Sequence, residues 1–322
     1  MAVILRFMDR PDLPEDEEVM SGSISHQAAT HYLDVDDTRF AYRLFGSAGG
    51  TPLVLCHRFR ATMDHWDPAL LDVLASDGPV IVFDNAGVGF STGRAADSIA
   101  GMAAAAASFI DALGYKQVDL LGWSLGGTVA QQLALDRPQL VRRLVLAGTS
   151  PGGVPDSPRA PDKVWQVAGK PVNDDEDFLY LFFTESAVSR ELGLASLRRL
   201  DRRLLESRAA VALESVQRQA AAIGAWGAGK NSAYDRLHEI KAPTLVANGV
   251  HDIMTHAYNS YVISQRVPSA QLILYPDAGH GFLFQYPKQF GKHVLEFLGP
   301  PTGAGEPQPL TNILPAHHKE KP

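Results

Sequence analysis

The chain has 322 residues, 45% of them hydrophobic and 20% charged, the composition of an ordinary soluble protein with enough core to need no covalent staples. A formal charge of −7 argues against non-specific nucleic-acid binding, which requires clustered positive charge facing phosphates. Cys56 is the sole cysteine, which excludes an intrachain disulfide and a cysteine-rich metal site and suits a reducing compartment.

The apolar start Met1–Leu5 is too short for a signal peptide, and no apolar run approaches the ~18 residues that cross a bilayer. A cytoplasmic location away from membranes is therefore expected. Residues 1–25, with Pro11, Pro14 and the acidic run Glu15–Glu18, read as a flexible acidic leader. Residues 38–45 alternate apolar and polar side chains and predict a half-buried strand. Solid apolar runs follow at 52–56, 80–83, 118–121, 144–147, 244–247 and 272–275, the pattern of strands buried on both faces. Helical stretches such as Ile99–Leu113 and Gly127–Asp136 separate most of them. This alternation predicts an α/β fold with a doubly wound, mostly parallel sheet.

Between Thr149 and Ala242 the rhythm stops, and helical sequence fills the gap at Asp177–Phe183, Glu191–Leu205 and Ala209–Ile223. We read residues 26–151 and 236–298 as the α/β core, 152–235 as an inserted helical cap, and the Pro/Gly-rich 299–322 as a tail. Ligands of open α/β sheets bind beyond the carboxyl ends of the strands, so a cap there would roof a pocket.

The run Gly122-Trp123-Ser124-Leu125-Gly126 matches G-x-S-x-G between a strand run and a helix rich in alanine and glutamine. A sharp strand-to-helix turn needs small flanking residues, and it lifts a serine hydroxyl to the carboxyl edge of the sheet, at a helix N-terminus that favours a developing anion. Ser124 is the candidate nucleophile. A serine needs a base, and His280, in Gly279-His280-Gly281 after the last strand run, lies on the same edge. His293 falls in a helical pattern and reads as solvated surface, His251 and His256 could line the site's mouth, and His317 and His318 lie in the tail. Asp252 follows the 244–247 run and is the candidate orienting acid. Asp84, in the turn Asp84–Gly89, is its competitor and reads more simply as a cap on backbone amides. Of the two oxyanion-hole donors, one is the Leu125 N–H and the other belongs to the loop His57-Arg58-Phe59-Arg60.

These pieces, from about residue 30 to 298, resemble the α/β-hydrolase superfamily, and within it the branch of small esterases, lactonases, haloperoxidase-like perhydrolases and carbon–carbon bond hydrolases. The resemblance implies a Ser–acid–His triad, a variable helical cap and Phe59 as the second oxyanion N–H. It also exposes a departure, because the family's usual His-Gly-x loop carries Arg58 in place of the glycine. Either Arg58 points away and ties the loop to an acidic neighbour such as Asp64 or Asp67, or Arg58 or Arg60 reaches into the pocket to read a substrate oxygen.

Trp123, Trp165, Phe183 and Trp226 are candidate substrate contacts, each with a plainer role in packing. Arg198, Arg199, Arg202, Arg203 and Arg208 recur on one helix and read as a solvated face. The expected activity is hydrolysis of an ester or lactone of medium size, mostly apolar and of low charge, through an acyl-enzyme. No cofactor or metal is implied, the partner is a small-molecule substrate, and a homodimer is compatible with the chain. The alternatives are carbon–carbon bond hydrolysis or a cofactor-free biosynthetic step on the same triad, and a non-enzymatic ligand receptor of the same fold.

Overall fold

A computed structural model describes residues 23–207 and 209–300 together with the backbone of Ala2–Val3. Residues 4–22 of the expected leader, the tail from residue 301, with its His317 and His318, and Arg208 lie outside the described residues. In chain order the strands are β1 (Ala2–Val3), β2 (His31–Val35), β3 (Thr38–Gly46), β4 (Leu53–Cys56), β5 (Pro79–Phe83), β6 (Val118–Trp123), β7 (Val141–Ala147), β8 (Val211–Ala212), β9 (Thr244–Gly249) and β10 (Ala270–Tyr275). The helices are α1 (Ile24–Gln27), α2 (Pro68–Leu74), α3 (Ile99–Ala112), α4 (Leu125–Asp136), α5 (Asp162–Ala168), α6 (Asp175–Phe182), α7 (Ala187–Ser207), α8 (Leu213–Gly227), α9 (Ala257–Arg266), α10 (Phe282–Gln285) and α11 (Pro287–Leu298).

Eight strands form one sheet in the order β10-β9-β7-β6-β4-β5-β3-β2. Every pairing from β10 to β5 is parallel, and β3 joins antiparallel to both β5 and β2. Strand side chains alternate faces, so Leu55, Val82, Leu121 and Val145 feed one core while Val54, Ile81, Leu120 and Leu144 feed the other. Burial on both faces is why these strands read as unbroken apolar runs. The run at 272–275 is different. It belongs to β10, an edge strand on which Leu274 is exposed, while Ile273 and Tyr275 pack against one core and Ala270 and Leu272 against the other. Strand β2 carries His31, Asp34 and mostly exposed side chains, and it gives no apolar run for a sequence reading to find.

Strands β7 and β9 are neighbours in the sheet, with Leu144 opposite Thr244, so the chain between them leaves the sheet and returns beside its point of departure. That excursion holds α5 to α8 and the short strand β8, which pairs antiparallel with β1. Ser25 is buried and its hydroxyl donates to Asp72 Oδ1 on α2 at 2.7 Å. No helix among the described residues is long and apolar enough to cross a membrane.

The arginines of α7 depart from a uniformly solvated face. Arg199 donates through Nε and Nη2 to the two carboxylate oxygens of Asp67 at 2.9 and 2.7 Å. Arg203 donates to Asp64 Oδ1 at 3.0 Å, which Arg43 of β3 also reaches at 2.6 Å. Arg190, paired with Glu176 of α6, Arg202, paired with Glu206 one turn on, and exposed Arg198 behave as surface residues. Asp64 and Asp67 are buried, so α7 is clamped to the 62–67 segment by charges that water does not screen. Removing one partner leaves an uncompensated buried carboxylate. Arg199→Ala is expected to lower the unfolding free energy by about 2–4 kcal/mol, measured by chemical denaturation, whereas Arg198→Ala stays within about 0.5 kcal/mol of wild type.

Candidate active site

Strand β6 ends at Trp123 and α4 begins at Leu125, leaving Ser124 alone to turn the chain. It does so at φ 57° and ψ −119°, a left-handed conformation that an L-residue adopts at a cost of ~1–3 kcal/mol. Local contacts hold it there. Ser124 N donates to Ala147 O at 2.9 Å, and Thr149 Oγ1 donates to Ser124 O at 2.8 Å. The flanking glycines are steric necessities. A Cβ on Gly122 would strike the backbone of Gly126 and Gly127, and one on Gly126 would strike the carbonyls of Cys56 and His57. The second clash shows how closely α4 approaches the end of β4, where the loop His57–Arg60 begins.

The other two residues arrive from neighbouring strand ends. Asp252 lies in the loop after β9, with Oδ1 accepting from Met254 N and Thr255 N, both at 2.8 Å. Its Oδ2 is 2.7 Å from His280 Nδ1, and both side chains are buried. A carboxylate that accepts two amides has one oxygen left for the imidazole, which fixes the proton of a neutral His280 on Nδ1 and a lone pair on Nε2. Nε2 is buried and has no hydrogen-bond partner among the described residues. Ser124 and His280 line one pocket.

The competing residues have other work. Asp84 Oδ1 accepts from Met63 N at 2.7 Å and Oδ2 from Phe90 N at 2.9 Å, the capping role its turn suggested. His256 caps α9 by accepting from Tyr258 N, and exposed His251 lies in the loop that carries Asp252. His293 is half-buried, not fully solvated, with Nδ1 2.7 Å from Tyr275 Oη.

The oxyanion-hole candidates sit on the two sides of the close approach. Phe59 lines the pocket and Leu125 opens α4, and neither backbone N–H has a protein acceptor among the described residues. The loop between them is pinned from the insertion. Arg60 N donates to buried Gln219 Oε1 of α8 at 3.1 Å. The Arg60 guanidinium donates to the carbonyls of Ala168, Lys170 and Pro171 at the end of α5, where the helix dipole favours a cation.

Arg58 does not tie the loop to Asp64 or Asp67, because Arg43, Arg203 and Arg199 already occupy those carboxylates. It turns into the pocket. Its guanidinium carbon stands 5.0 Å from the Phe182 ring centre, 5.6 Å from Trp123 and 5.8 Å from Phe178. Burial and the neighbouring Arg60 push its pKa down to about 9, so it is charged at neutral pH. Beside it, burial pushes His57 down to about 4, and burial together with the Arg58 charge holds His65 well below the usual histidine range.

The aromatic candidates fare less well as ligand contacts. Trp123 is buried beneath the pocket, donates from Nε1 to His280 O at 3.1 Å, and packs edge-on against Phe182 and Phe284. Trp165 is 52% exposed, because α5 turns Val164, Val167 and Ala168 inward instead. Phe183 is buried against Gly193 and Gly281, and its neighbour Phe182 takes the place on the pocket wall. Trp226 is buried in the other core with Nε1 donating to Ser150 O. His65 and Met254, both on the pocket wall, carry no sequence signal that singles them out. Among the described residues no group of three His, Cys, Asp or Glu could hold a metal ion.

Asp84 supplies a pH test. Burial raises its pKa to about 7, above the value of 3.8 it has when unfolded. The folded state therefore holds the proton more tightly, and this group's stabilisation is complete below pH ~4 and lost as pH rises through about 7. The stability advantage of wild type over Asp84→Asn is expected to shrink between pH 5 and 8 in denaturant titrations.

Residues 51–287 match a family described as "alpha/beta hydrolase fold". The chain is 31% identical over 275 residues to a poly(3-hydroxyalkanoate) depolymerase of Ectopseudomonas oleovorans, covering 83% of this chain and 90% of that protein. It is 30% identical over 293 residues to the dihydrolipoyllysine-residue acetyltransferase component of the acetoin cleaving system of Cupriavidus necator, covering 89% and 73%. Among solved structures, an alpha/beta hydrolase fold protein from Chitinophaga pinensis superposes with a TM-score of 0.78 at 37% identity, over 85% of this chain and 98% of that one. By the extent of that family match and the sheet that carries it, this chain belongs to the alpha/beta hydrolase fold family.

Proposed function

We propose that the protein is a serine hydrolase of carboxylic esters or lactones acting through Ser124, His280 and Asp252. The observation that carries this reading is the buried 2.7 Å bond between His280 Nδ1 and Asp252 Oδ2, with His280 Nε2 left unpartnered in the pocket that Ser124 lines. The relative named as a poly(3-hydroxyalkanoate) depolymerase supports ester chemistry on this scaffold.

In this mechanism Nε2 takes the Ser124 proton as the hydroxyl attacks the carbonyl carbon, and the imidazolium gains stability from Asp252. Negative charge moves to the former carbonyl oxygen, where the N–H groups of Phe59 and Leu125 and the dipole of α4 receive it. His280 returns the proton to the leaving alcohol, and water repeats the sequence to release the acid. The insertion acts as the cap, since Phe178, Leu181 and Phe182 of α6 with Ala209 and Val211 make the walls mostly apolar.

Ser124→Ala and His280→Ala are each expected to lower kcat/KM on a p-nitrophenyl ester at least about 10⁴-fold while unfolding at nearly the wild-type temperature. Wild-type protein should also be labelled by a serine-directed phosphonate, with mass spectrometry placing the adduct on Ser124. Absence of both turnover and labelling would leave the ligand-receptor reading in its place.

A further inference from the structure

The mechanism leaves two donors in the pocket wall unused. Arg58 makes one hydrogen bond, from Nη1 to Phe59 O at 2.7 Å, while its Nε is buried without an acceptor. No carboxylate pairs with it among the described residues, and its other neighbours are three aromatic rings.

His65 supplies the second donor. The Thr62 backbone N–H donates to His65 Nδ1 at 3.0 Å, so Nδ1 carries the lone pair and a neutral ring must carry its proton on Nε2. That Nε2 is buried without a partner, and His65 and Arg58 line the same pocket as Ser124. The other polar groups there are committed. Arg60 serves the carbonyls at the end of α5, and Asn173 Nδ2 donates to Val167 O and Asp177 Oδ2. A half-buried guanidinium without a counter-ion, with its Nε shut off from water, is costly, and a neighbouring N–H without an acceptor adds to that cost. Both deficits vanish if the ligand brings an anion.

We propose that Arg58 and the Nε2–H of His65 form a subsite for a carboxylate carried by the substrate. On the serine-hydrolase reading, on which this rests, the substrate is then an ester or lactone of an acid that bears a second, free carboxylate. The charge count selects this class. One guanidinium and one neutral imidazole among aromatic rings match a monoanion, whereas a phosphate dianion would bring a second negative charge into apolar surroundings. The low-charge substrate expected from the sequence is revised accordingly: an apolar body with a single ionised end.

The test is a matched pair, monomethyl glutarate and methyl pentanoate, which differ only in a carboxylate replacing a methyl group, with succinate and adipate monoesters covering other spacings. Wild type should favour the acid at its best spacing by about 10- to 100-fold in kcat/KM, the worth of a charge-assisted hydrogen bond. Arg58→Gln should collapse this ratio towards one, and Arg58→Lys should keep part of it. Calorimetric titration of monomethyl glutarate into Ser124→Ala, with and without Arg58→Gln, reads the same subsite without turnover. Weakened binding in the double variant is expected.

A wild-type ratio at or below one at every spacing would overturn the subsite and leave the hydrolase reading standing. Equal losses on both esters in Arg58→Gln would overturn it too, by placing Arg58 at the oxyanion. Stronger preference for a phosphonate of matched length would contradict the monoanion assignment. If wild type cleaves no ester and takes no phosphonate label, the hydrolase reading fails, and the calorimetry still decides the subsite.

Discussion

The turn at Ser124 works only because three backbone segments pass almost in contact. Strand β6 must end, α4 must begin, and the end of β4 must come against both, with Gly122 and Gly126 removing the Cβ atoms that would keep them apart. The strained φ of Ser124 is the local expression of that crowding. Sheet order does the rest. With β6 central and β9 and β10 on one side, the loops carrying Asp252 and His280 open on the same edge, while β4 delivers His57–Arg60 from the other side. Small residues at the crossing thus determine where four loops of the candidate site meet.

Around this crossing the protein buries several carboxyl groups, each with its own partners. Asp64 and Asp67 hold guanidinium groups from α7, Asp84 holds two backbone amides, and Asp252 holds two amides and an imidazole. All four flank the carboxyl edge of the sheet. Arg60 is answered by carbonyls at the end of α5, whereas Arg58 meets aromatic rings and a single carbonyl, with no carboxylate paired to it among the described residues.

Much of the core was legible in the sequence because its signals are local. A strand buried on both faces must be apolar throughout, and a strand–Gly-x-Ser-x-Gly–helix turn carries its steric reason in its own residues. Asp252 and His280 could be chosen among many aspartates and histidines because each follows a strand run directly. Illegible features depended on neighbours distant in sequence. Strand β2 lacks an apolar run because only one of its flanks is covered. Phe183 and Trp226 are buried in packing and Trp165 points to solvent, and the rotational phase of each helix decided which ring met the pocket. The arginines of α7 looked solvated since their partners, Asp64 and Asp67, lie some 130 residues earlier. Arg58 itself could be noticed as a departure, but its direction was set by the prior claims on those two carboxylates.

Arg60 gives the insertion a mechanical role. Its guanidinium grips the carbonyl end of α5 while its backbone N–H is held by Gln219 of α8, and the adjoining residue is Phe59, which lines the pocket. A displacement of α5 or α8 wide enough to break these bonds would pull on the backbone next to Phe59, so the insertion and the loop after β4 form one mechanical unit along this wall of the pocket.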